Sequence, residues 1–122
     1  MTGPETLRIG VIGVGFGSTV HIPGFQSEEG IEVVAVCARR DERVREAAQR
    51  FAVPKFYTDW REMVKSNEID AVSIVSPVTL HSEMACAALE AGKHVICEKP
   101  MSLDVTEARK MRDTARRHPE LN

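Results

Sequence analysis

Short apolar runs alternate along this chain with segments in which apolar residues recur every three to four positions. The runs Leu7–Ile12 and Ile31–Cys37 are nearly continuous rather than alternating, which is typical of strands covered on both faces. Similar runs at residues 70–75 and His94–Cys97 predict two more buried strands. The short run Lys55–Tyr57 predicts an edge strand.

The segments between the strands have the periodicity of amphipathic helices, with charged residues on the opposite side. Their apolar positions are Val44, Ala47, Ala48 and Phe51; Trp60, Met63 and Val64; Met84, Ala85, Ala88 and Leu89; and Ala108, Met111 and Ala115. Asp104 and Glu107 form the pattern of a capping box before the last helix. This alternation predicts an α/β fold with a doubly wound parallel sheet, a Rossmann-type dinucleotide-binding domain that spans residues 1–122.

Composition excludes several classes of function. The 122 residues include 16 basic and 18 acidic side chains, a net charge of −2, so no basic surplus is available for nucleic acid or an anionic membrane. No apolar run approaches the roughly 20 residues of a membrane helix, and the first six residues lack the pattern of a signal peptide. Cys37, Cys86 and Cys97 lie in apolar stretches without metal-ligand spacing. We expect a cytoplasmic protein without a metal site.

The first strand runs into a glycine-rich turn, Gly13-Val14-Gly15-Phe16-Gly17-Ser18. In dinucleotide-binding turns the first glycine permits the tight turn, the second lets the backbone approach the pyrophosphate, and the third allows close packing of helix on strand. Gly13 and Gly15 fit the first two positions, and Ser18 takes the third, with an extra glycine at Gly17. The predicted cofactor contacts are Gly13, Gly15, Phe16, Gly17 and Ser18, with main-chain N–H groups near Ser18, Thr19 and Val20 holding the phosphates. Glycine-rich strand ends also occur in sheets that bind no dinucleotide.

The end of the second strand carries two arginines where NAD-binding domains place an acidic residue that accepts from the ribose 2′-hydroxyl. A planar guanidinium suits a phosphate, so Arg39, assisted by Arg40, predicts NADP(H) as the cofactor. If the cofactor is NAD instead, Asp41 is the remaining candidate for the ribose hydroxyls. The alternative is a solvated basic start to the next helix.

Two further polar segments follow the fourth and fifth strands. Ligands of open α/β sheets collect at the carboxyl ends of the strands, where Ser76, Pro77, Thr79 and His81 come after the fourth strand. Glu98 and Lys99 come after the fifth. These six residues are predicted cofactor contacts, and Lys99 could also bond a substrate hydroxyl. Chemistry alone slightly favours a surface lysine paired with Glu98, and His81 has a capping or packing role as its alternative.

The segment from Ser76-Pro77-Val78-Thr79-Leu80-His81 through Ala91-Gly92-Lys93-His94-Val95 to Cys97-Glu98-Lys99-Pro100 resembles the Gfo/Idh/MocA oxidoreductase family. The resemblance covers about residues 7–118. It implies an NAD- or NADP-binding domain of an enzyme that oxidises or reduces a carbon–oxygen bond of a sugar or cyclitol. It further implies that Lys99 is the active-site lysine near the nicotinamide and that the Lys99–Pro100 bond is cis. Val78 departs from the asparagine of many relatives, so we expect a different cofactor contact there.

The resemblance also implies a second, substrate-binding domain with a catalytic histidine four residues after an aspartate. None of the four histidines of this chain follows an aspartate at that spacing. We therefore expect a cofactor-binding domain whose substrate-binding domain is absent, which binds a small-molecule substrate only with that domain and is inactive alone. A stand-alone NAD(P)-binding sensor or regulatory module and a fragment with a vestigial site are the alternatives.

Overall fold

The computed structural model of the protein describes residues 5–122, so the first four residues of the predicted domain lie outside it. Five parallel strands form one sheet in the order β3-β2-β1-β4-β5. The strands are β1 (Leu7–Ile12), β2 (Ile31–Cys37), β3 (Lys55–Tyr57), β4 (Ala71–Ile74) and β5 (His94–Cys97). This order confirms the predicted doubly wound parallel sheet with β3 at one edge, and β4 is one residue shorter at each end than predicted.

The helices cover both faces of the sheet, as the parallel strands require. They are α1 (Ile22–Gln26), α2 (Asp41–Arg50), α3 (Trp60–Val64), α4 (His81–Glu90) and α5 (Val105–Arg116), with a 3₁₀ turn at Val78–Leu80. The capping box is confirmed, because the Asp104 carboxylate accepts from the Glu107 N–H at 2.9 Å. Its other half reaches one residue further back, where Glu107 accepts from the Leu103 N–H at 3.2 Å.

Two apolar cores lie on opposite faces of the sheet. On one face Ile22 of α1 and Val44 of α2 pack against Val11 of β1, and all three are fully buried. On the other face Met63 of α3 and Ala88 of α4 join the core, with Met111 of α5 5% exposed. The crossover helices after β1 and β2 therefore pack on one face and those after β3 and β4 on the other, which leaves the carboxyl edge of the sheet uncovered.

The helix after the glycine turn is shorter and less regular than the others. A π-helical turn at Gly17–His21 precedes α1, and the Ile22 N–H donates to the Gly17 carbonyl five residues earlier. Pro23, in the first turn of α1, has no N–H to donate. Pro23 therefore cannot form the usual main-chain bond to the carbonyl of Thr19, four residues earlier.

Lys93 has a structural role in the segment that carries the family resemblance. Its side chain is 8% exposed, and its ammonium donates to the Ser66 and Ile69 carbonyls at 2.7 Å each. Burial lowers the pKa of this ammonium. Lys93 thereby holds the loop between α3 and β4 against the start of β5.

The start of β1 is joined to the start of β4 by a bidentate ion pair. Arg8 donates to the two carboxylate oxygens of Asp70 at 2.8 and 3.0 Å, and the Arg8 N–H donates to the same carboxylate at 2.9 Å. The hydrogen bond from the Arg8 side chain is the main reason that the pKa of Asp70 is lowered. The ionised carboxylate is the form that holds these two strands together.

Lys93→Met should destabilise the fold by about 1–3 kcal/mol. The carbonyls of Ser66 and Ile69 lose their charged donor, while the apolar part of the side chain is kept. Urea unfolding followed by circular dichroism measures the change. Lys65→Met is the matched control, since Lys65 is exposed at the end of α3 and should change stability by less than about 0.5 kcal/mol. Equal effects of the two substitutions would contradict the role given to Lys93.

Asp70→Asn should flatten the dependence of stability on pH in acid. The pKa of Asp70 is lower in the folded than in the unfolded chain, so its contribution is present above the unfolded value of about 3.9 and is lost as pH falls through the folded value. The free energy of unfolding, measured from pH 7 down to about pH 2, should fall less steeply in Asp70→Asn than in the wild type. Glu46→Gln, which is exposed on α2, should leave the slope nearly unchanged, and the same slope in all three proteins would count against the ion pair.

Candidate dinucleotide-binding site

The first glycine of the turn lies where no other residue fits. Gly13 has φ = +110°, and a Cβ on it would lie 2.7 Å from the Val75 carbonyl oxygen. The Gly13 N–H donates to the Cys37 carbonyl at 2.8 Å. The backbone after β1 therefore packs directly against the ends of both β2 and β4, which requires glycine for its conformation and for its lack of a side chain.

The second and third glycines have different surroundings. A Cβ on Gly15 would meet nothing within 4 Å, so this backbone is open to the space above the sheet. Gly17 is buried, and a Cβ on it would lie 3.2 Å from Cγ1 of Val11. Gly17 rather than Ser18 is therefore the residue that allows the helical turn to approach β1, and the assignment of that packing role to Ser18 was wrong.

The main chain after the turn is partly committed to its own hydrogen bonds. The Ser18 N–H donates to the Gly15 carbonyl at 3.1 Å, and the Thr19 hydroxyl donates to the same oxygen at 3.3 Å. The Phe16 side chain is 53% exposed beside this turn, and its ring meets the His21 ring edge-on at 5.7 Å. The predicted contact of Ser18, Thr19 and Val20 with phosphates stays a prediction, with the Ser18 amide already used inside the turn.

A groove of about 1110 Å³ runs along the carboxyl edge of the sheet. It begins at the glycine turn, passes over the ends of β1, β2 and β4, and reaches the loop between β3 and α3. Seven predicted site residues line it: Gly13, Gly15, Arg39, Arg40, Ser76, Pro77 and Thr79. The predicted residues Phe16, Gly17, Ser18, His81, Glu98 and Lys99 lie outside this lining. The structure thus places segments from four different parts of the chain around one elongated space.

Three arginines face one end of the groove. Arg39 and Arg40 follow β2, and Arg43 joins them from the first turn of α2. Within residues 5–122 none of the three forms an ion pair, whereas Asp41 is paired with Arg45 at 2.6 Å. This end of the groove therefore presents guanidinium groups free to bind an anion, and Asp41, the acidic residue predicted for the ribose hydroxyls, does not line the groove.

The thiol of Cys37, which lines the groove near the arginines, adds no negative charge there. Burial, with a smaller contribution from the Asp59 carboxylate, raises the pKa of Cys37 to about 12. Cys37 is therefore a neutral thiol at physiological pH.

Asp59 accepts from the Arg61 N–H at 3.0 Å and caps α3, while the Arg61 guanidinium lies 4.5 Å from the centre of the Trp60 ring. These contacts shape the far wall of the groove.

The end of β5 holds a hydrogen-bonded set that the sequence did not reveal. His21 Nε2 lies 2.8 Å from Glu98 Oε2, and His21 Nδ1 lies 2.8 Å from Ser73 Oγ. Glu98 also accepts from the Lys99 N–H at 3.0 Å, and the bond to His21 is the main cause that lowers the pKa of Glu98. The series of serine, histidine and carboxylate is like that of a hydrolase, but Ser73 is 0% exposed and cannot reach a substrate. Its role is to hold His21.

Lys99 is exposed, and its ammonium forms neither a hydrogen bond nor an ion pair within the described part of the chain. The Glu98 carboxylate bonds His21 and the Lys99 backbone instead, so the interpretation of Lys99 as a lysine paired with Glu98 was wrong. The Lys99–Pro100 peptide bond is cis, as the resemblance implied. Because the Glu98 N–H donates to Ile74, the turn lies beside the end of β4.

His81 is the first residue of α4 and is 2% exposed. Its Nδ1 lies 2.9 Å from the Pro100 carbonyl oxygen and its Nε2 lies 2.8 Å from the Ser76 carbonyl oxygen. Both ring nitrogens are thus directed at the main chain of two loops. The ring joins the end of β4 to the end of β5, which is the packing role rather than the capping role considered for it.

Sequence reasoning missed three functional candidates: Arg43, His21 and Ser73. Arg43 had a usable signal, because a residue three positions after Arg40 lies on the same side of a helix that begins at Asp41. Ser73 had none, and His21 had only its place after the glycine turn, which is part of the family resemblance but does not indicate a partner 52 positions away.

The comparisons with known proteins agree with this architecture. Residues 7–121 match the Gfo/Idh/MocA family, described as an oxidoreductase family with an NAD-binding Rossmann fold. The chain belongs to this family. Within it, myo-inositol 2-dehydrogenase of Thermotoga maritima is 36% identical over 105 residues, which cover 86% of this chain and 31% of that protein.

Solved structures of family members superpose on the whole domain. Scyllo-inositol dehydrogenase from Lactobacillus casei, with bound NAD(H) and scyllo-inositol, is 29% identical with a TM-score of 0.90, and the match covers 97% of this chain and 35% of that one. A 3-ketoreductase from Actinomadura kijaniata, in complex with TDP-benzene and NADP, is 31% identical with a TM-score of 0.87, covering 93% and 36%. The chain spans about a third of the length of the curated relatives that it matches. It corresponds to their NAD-binding domain.

Membrane association through a spanning helix has no support in residues 5–122, where no helix is long and apolar enough to cross a bilayer. The same residues contain no group of three or more histidine, cysteine or acidic side chains arranged to hold a metal ion.

Gly15→Ala should abolish or strongly weaken dinucleotide binding without unfolding the chain. The added methyl group meets no protein atom but takes up space above the turn where the pyrophosphate is expected. Calorimetric titration should show affinity at least about tenfold weaker, and the thermal midpoint should stay close to that of the wild type. Gly13→Ala is the contrasting variant, because its methyl group meets the Val75 carbonyl and should lower stability first. Unchanged binding in Gly15→Ala would remove the turn from the site.

Proposed function

We propose that this chain is the cofactor-binding domain of an NADP(H)-dependent oxidoreductase, which transfers a hydride to or from a carbon–oxygen bond of a sugar, a cyclitol or a similar substrate. The observation that carries the proposal is the continuity of one groove from an open glycine turn to three unpaired arginines. The family supplies both kinds of cofactor, NAD(H) in one related structure and NADP in another, so the choice depends on the residues of this chain.

The residues present fit a dinucleotide phosphate. The open space at Gly15 lets a pyrophosphate approach the main chain, and Gly13 and Gly17 keep the turn packed against the sheet. Arg39 and Arg40, with Arg43 behind them, would bind the 2′-phosphate through charge-assisted hydrogen bonds. Asp41, the alternative candidate for the ribose hydroxyls, does not line the groove and lies in an ion pair with Arg45.

Ser76, Pro77 and Thr79 would contact the cofactor along the end of β4, where they line the groove. When bound, the nicotinamide supplies or accepts the hydride. Lys99, exposed at the end of β5 with its ammonium unpaired in the described residues, would contact the nicotinamide part of the cofactor and would bond the substrate oxygen and stabilise its charge. We propose that the substrate and a proton-accepting base lie on a second domain, as the relatives of three times this length suggest, and that the present chain alone is inactive.

The inositol and glucoside dehydrogenases among the relatives favour a polyhydroxylated substrate. A cytoplasmic location is part of the proposal. It is supported by the three thiols, Cys37, Cys86 and Cys97, which are all unpaired.

Titration of the chain with NADPH and with NADH tests the cofactor assignment directly. The reduced nicotinamide is fluorescent, and calorimetry gives an independent affinity. Tight NADPH binding and weaker NADH binding are expected, because only NADPH offers a phosphate to the arginine end. Equal affinities would contradict the NADP assignment, and no binding of either would contradict the function as a cofactor domain.

Arg39→Asp should shift the preference toward NADH by at least about 1 kcal/mol, since it removes one cation and places an anion beside the expected phosphate. Arg109→Asp changes the net charge by the same amount on exposed α5, away from the groove, and should leave the ratio of the two affinities unchanged. If both variants shift the ratio equally, the effect is one of overall charge and Arg39 is not the 2′-phosphate ligand.

A further inference from the structure

The turn that carries Lys99 is held by two imidazole rings, one on each side of it. Before Lys99, the Glu98 carboxylate bonds His21 at 2.8 Å and accepts from the Lys99 N–H at 3.0 Å. After Lys99, the Pro100 carbonyl oxygen lies 2.9 Å from Nδ1 of His81. The backbone on both sides of Lys99 is therefore attached to the fold, while its side chain stays exposed.

We propose that His21 and His81 are positioning residues, which fix the turn at residues 98–100 so that the Lys99 ammonium lies at the nicotinamide end of the site. Both ring nitrogens of each histidine lie within 2.9 Å of a protein partner, so the two rings act through the turn rather than through contact with the cofactor. This inference rests on the proposed function, because it takes Lys99 to act beside a bound dinucleotide.

The hydrogen-bond partners determine which nitrogen of His21 carries the proton. Ser73 is 0% exposed, and the bond to His21 is the only one that its hydroxyl makes within the described residues. A buried hydroxyl needs an acceptor, so Ser73 donates to Nδ1 and Nε2–H donates to the Glu98 carboxylate. Ser73, in the buried strand β4, thereby orients the His21 ring toward Glu98. The position of Glu98 at the end of β5 thus depends on β4 through His21.

His81 connects the same turn to the cofactor groove. Its two ring nitrogens lie 2.8 Å from the carbonyl oxygen of Ser76, which lines the groove, and 2.9 Å from that of Pro100, which follows Lys99. The loop that contacts the cofactor and the turn that presents the lysine are therefore joined by one buried side chain. Displacement of either loop would move the other, and this coupling is what a positioning role requires.

An exposed lysine depends on such anchors more than a buried one does. A side chain without packing or bonds of its own has many rotamers, so the accuracy of its placement comes from the backbone that carries it. A purely structural role for the histidines would lower the stability of the fold but would not make their effect depend on Lys99. The two roles therefore differ in a measurable way.

A double-mutant cycle on cofactor binding tests the proposal. His21→Leu, Lys99→Met and the double variant are titrated with NADPH and with 2′,5′-ADP, which carries the 2′-phosphate but no nicotinamide. We expect His21→Leu and Lys99→Met each to weaken NADPH binding about tenfold, and the double variant to bind like either single one. Binding of 2′,5′-ADP should stay within about twofold of the wild type in all three, because the arginine end is unchanged.

Conservative variants keep the test meaningful if His21→Leu does not fold. His21→Gln retains a donor toward Glu98 and should recover most of the NADPH affinity, whereas Glu98→Gln removes the charge that accepts from both sides and should repeat the loss. His81→Phe keeps a buried ring but removes both ring nitrogens, and it should also weaken NADPH binding while sparing the binding of 2′,5′-ADP. His94→Gln is the control, because the His94 side chain accepts from the Asn122 N–H at the far end of β5 and forms no other hydrogen bond within residues 5–122.

Three results would overturn the inference while leaving the proposed function intact: wild-type NADPH affinity in both His21→Leu and His81→Phe, additive losses in the double variant, or equal losses for 2′,5′-ADP and NADPH. If the wild-type chain binds neither NADPH nor 2′,5′-ADP, the proposed function fails and the inference fails with it.

Discussion

The contact of the first glycine turn with the end of β4 determines the geometry of the whole carboxyl edge. The Gly13 N–H donates to the Cys37 carbonyl, and the α-carbon of Gly13 lies against the Val75 carbonyl. The ends of β1, β2 and β4 are therefore in contact at this one residue. A side chain at this position would separate β1 from β4 and move the groove, the arginine end and the lysine turn relative to one another. The site can therefore form only where the backbones are this close.

From this contact the edge divides into two halves that bind in different ways. Toward β2 and β3, exposed guanidinium groups face open space and depend on charge. Toward β5, polar groups are almost all satisfied by one another, with His21, Glu98 and His81 committed to protein partners. The first half suits recognition of a phosphate, for which long flexible cations are adequate. The second suits a reaction, for which a single group must be placed accurately.

The sequence predicted what local patterns encode. Strand and helix positions follow from hydrophobic periodicity, the capping box from the spacing of Asp104 and Glu107, and the groove from the rule that ligands collect at the carboxyl ends of parallel strands. The family resemblance placed Lys99 at the end of β5.

The remaining features depend on tertiary contacts that no local pattern carries. Gly17 replaces Ser18 in packing because Val11 lies beneath it, which only the register of the turn on β1 decides. The bond from His21 to Ser73 joins residues 52 positions apart, and that from His81 to Pro100 joins residues 19 apart. A single histidine in a sequence has donor and acceptor atoms but no indication of its partner, so its role appears only when the sheet brings the partner to it.

The three unpaired arginines also make this chain sensitive to its ionic surroundings. The molecule as a whole is slightly negative, with a net charge of −2, whereas this rim of the groove carries three basic side chains. At an ionic strength of about 0.15 M the Debye length is about 8 Å, and counter-ions then screen the charged guanidinium groups more than the neutral main-chain amides of the glycine turn. Added salt should therefore reduce the contribution of this rim to the binding free energy and leave the contribution of the glycine turn nearly constant. The selectivity between phosphorylated and unphosphorylated riboses then depends on the salt concentration as well as on the protein.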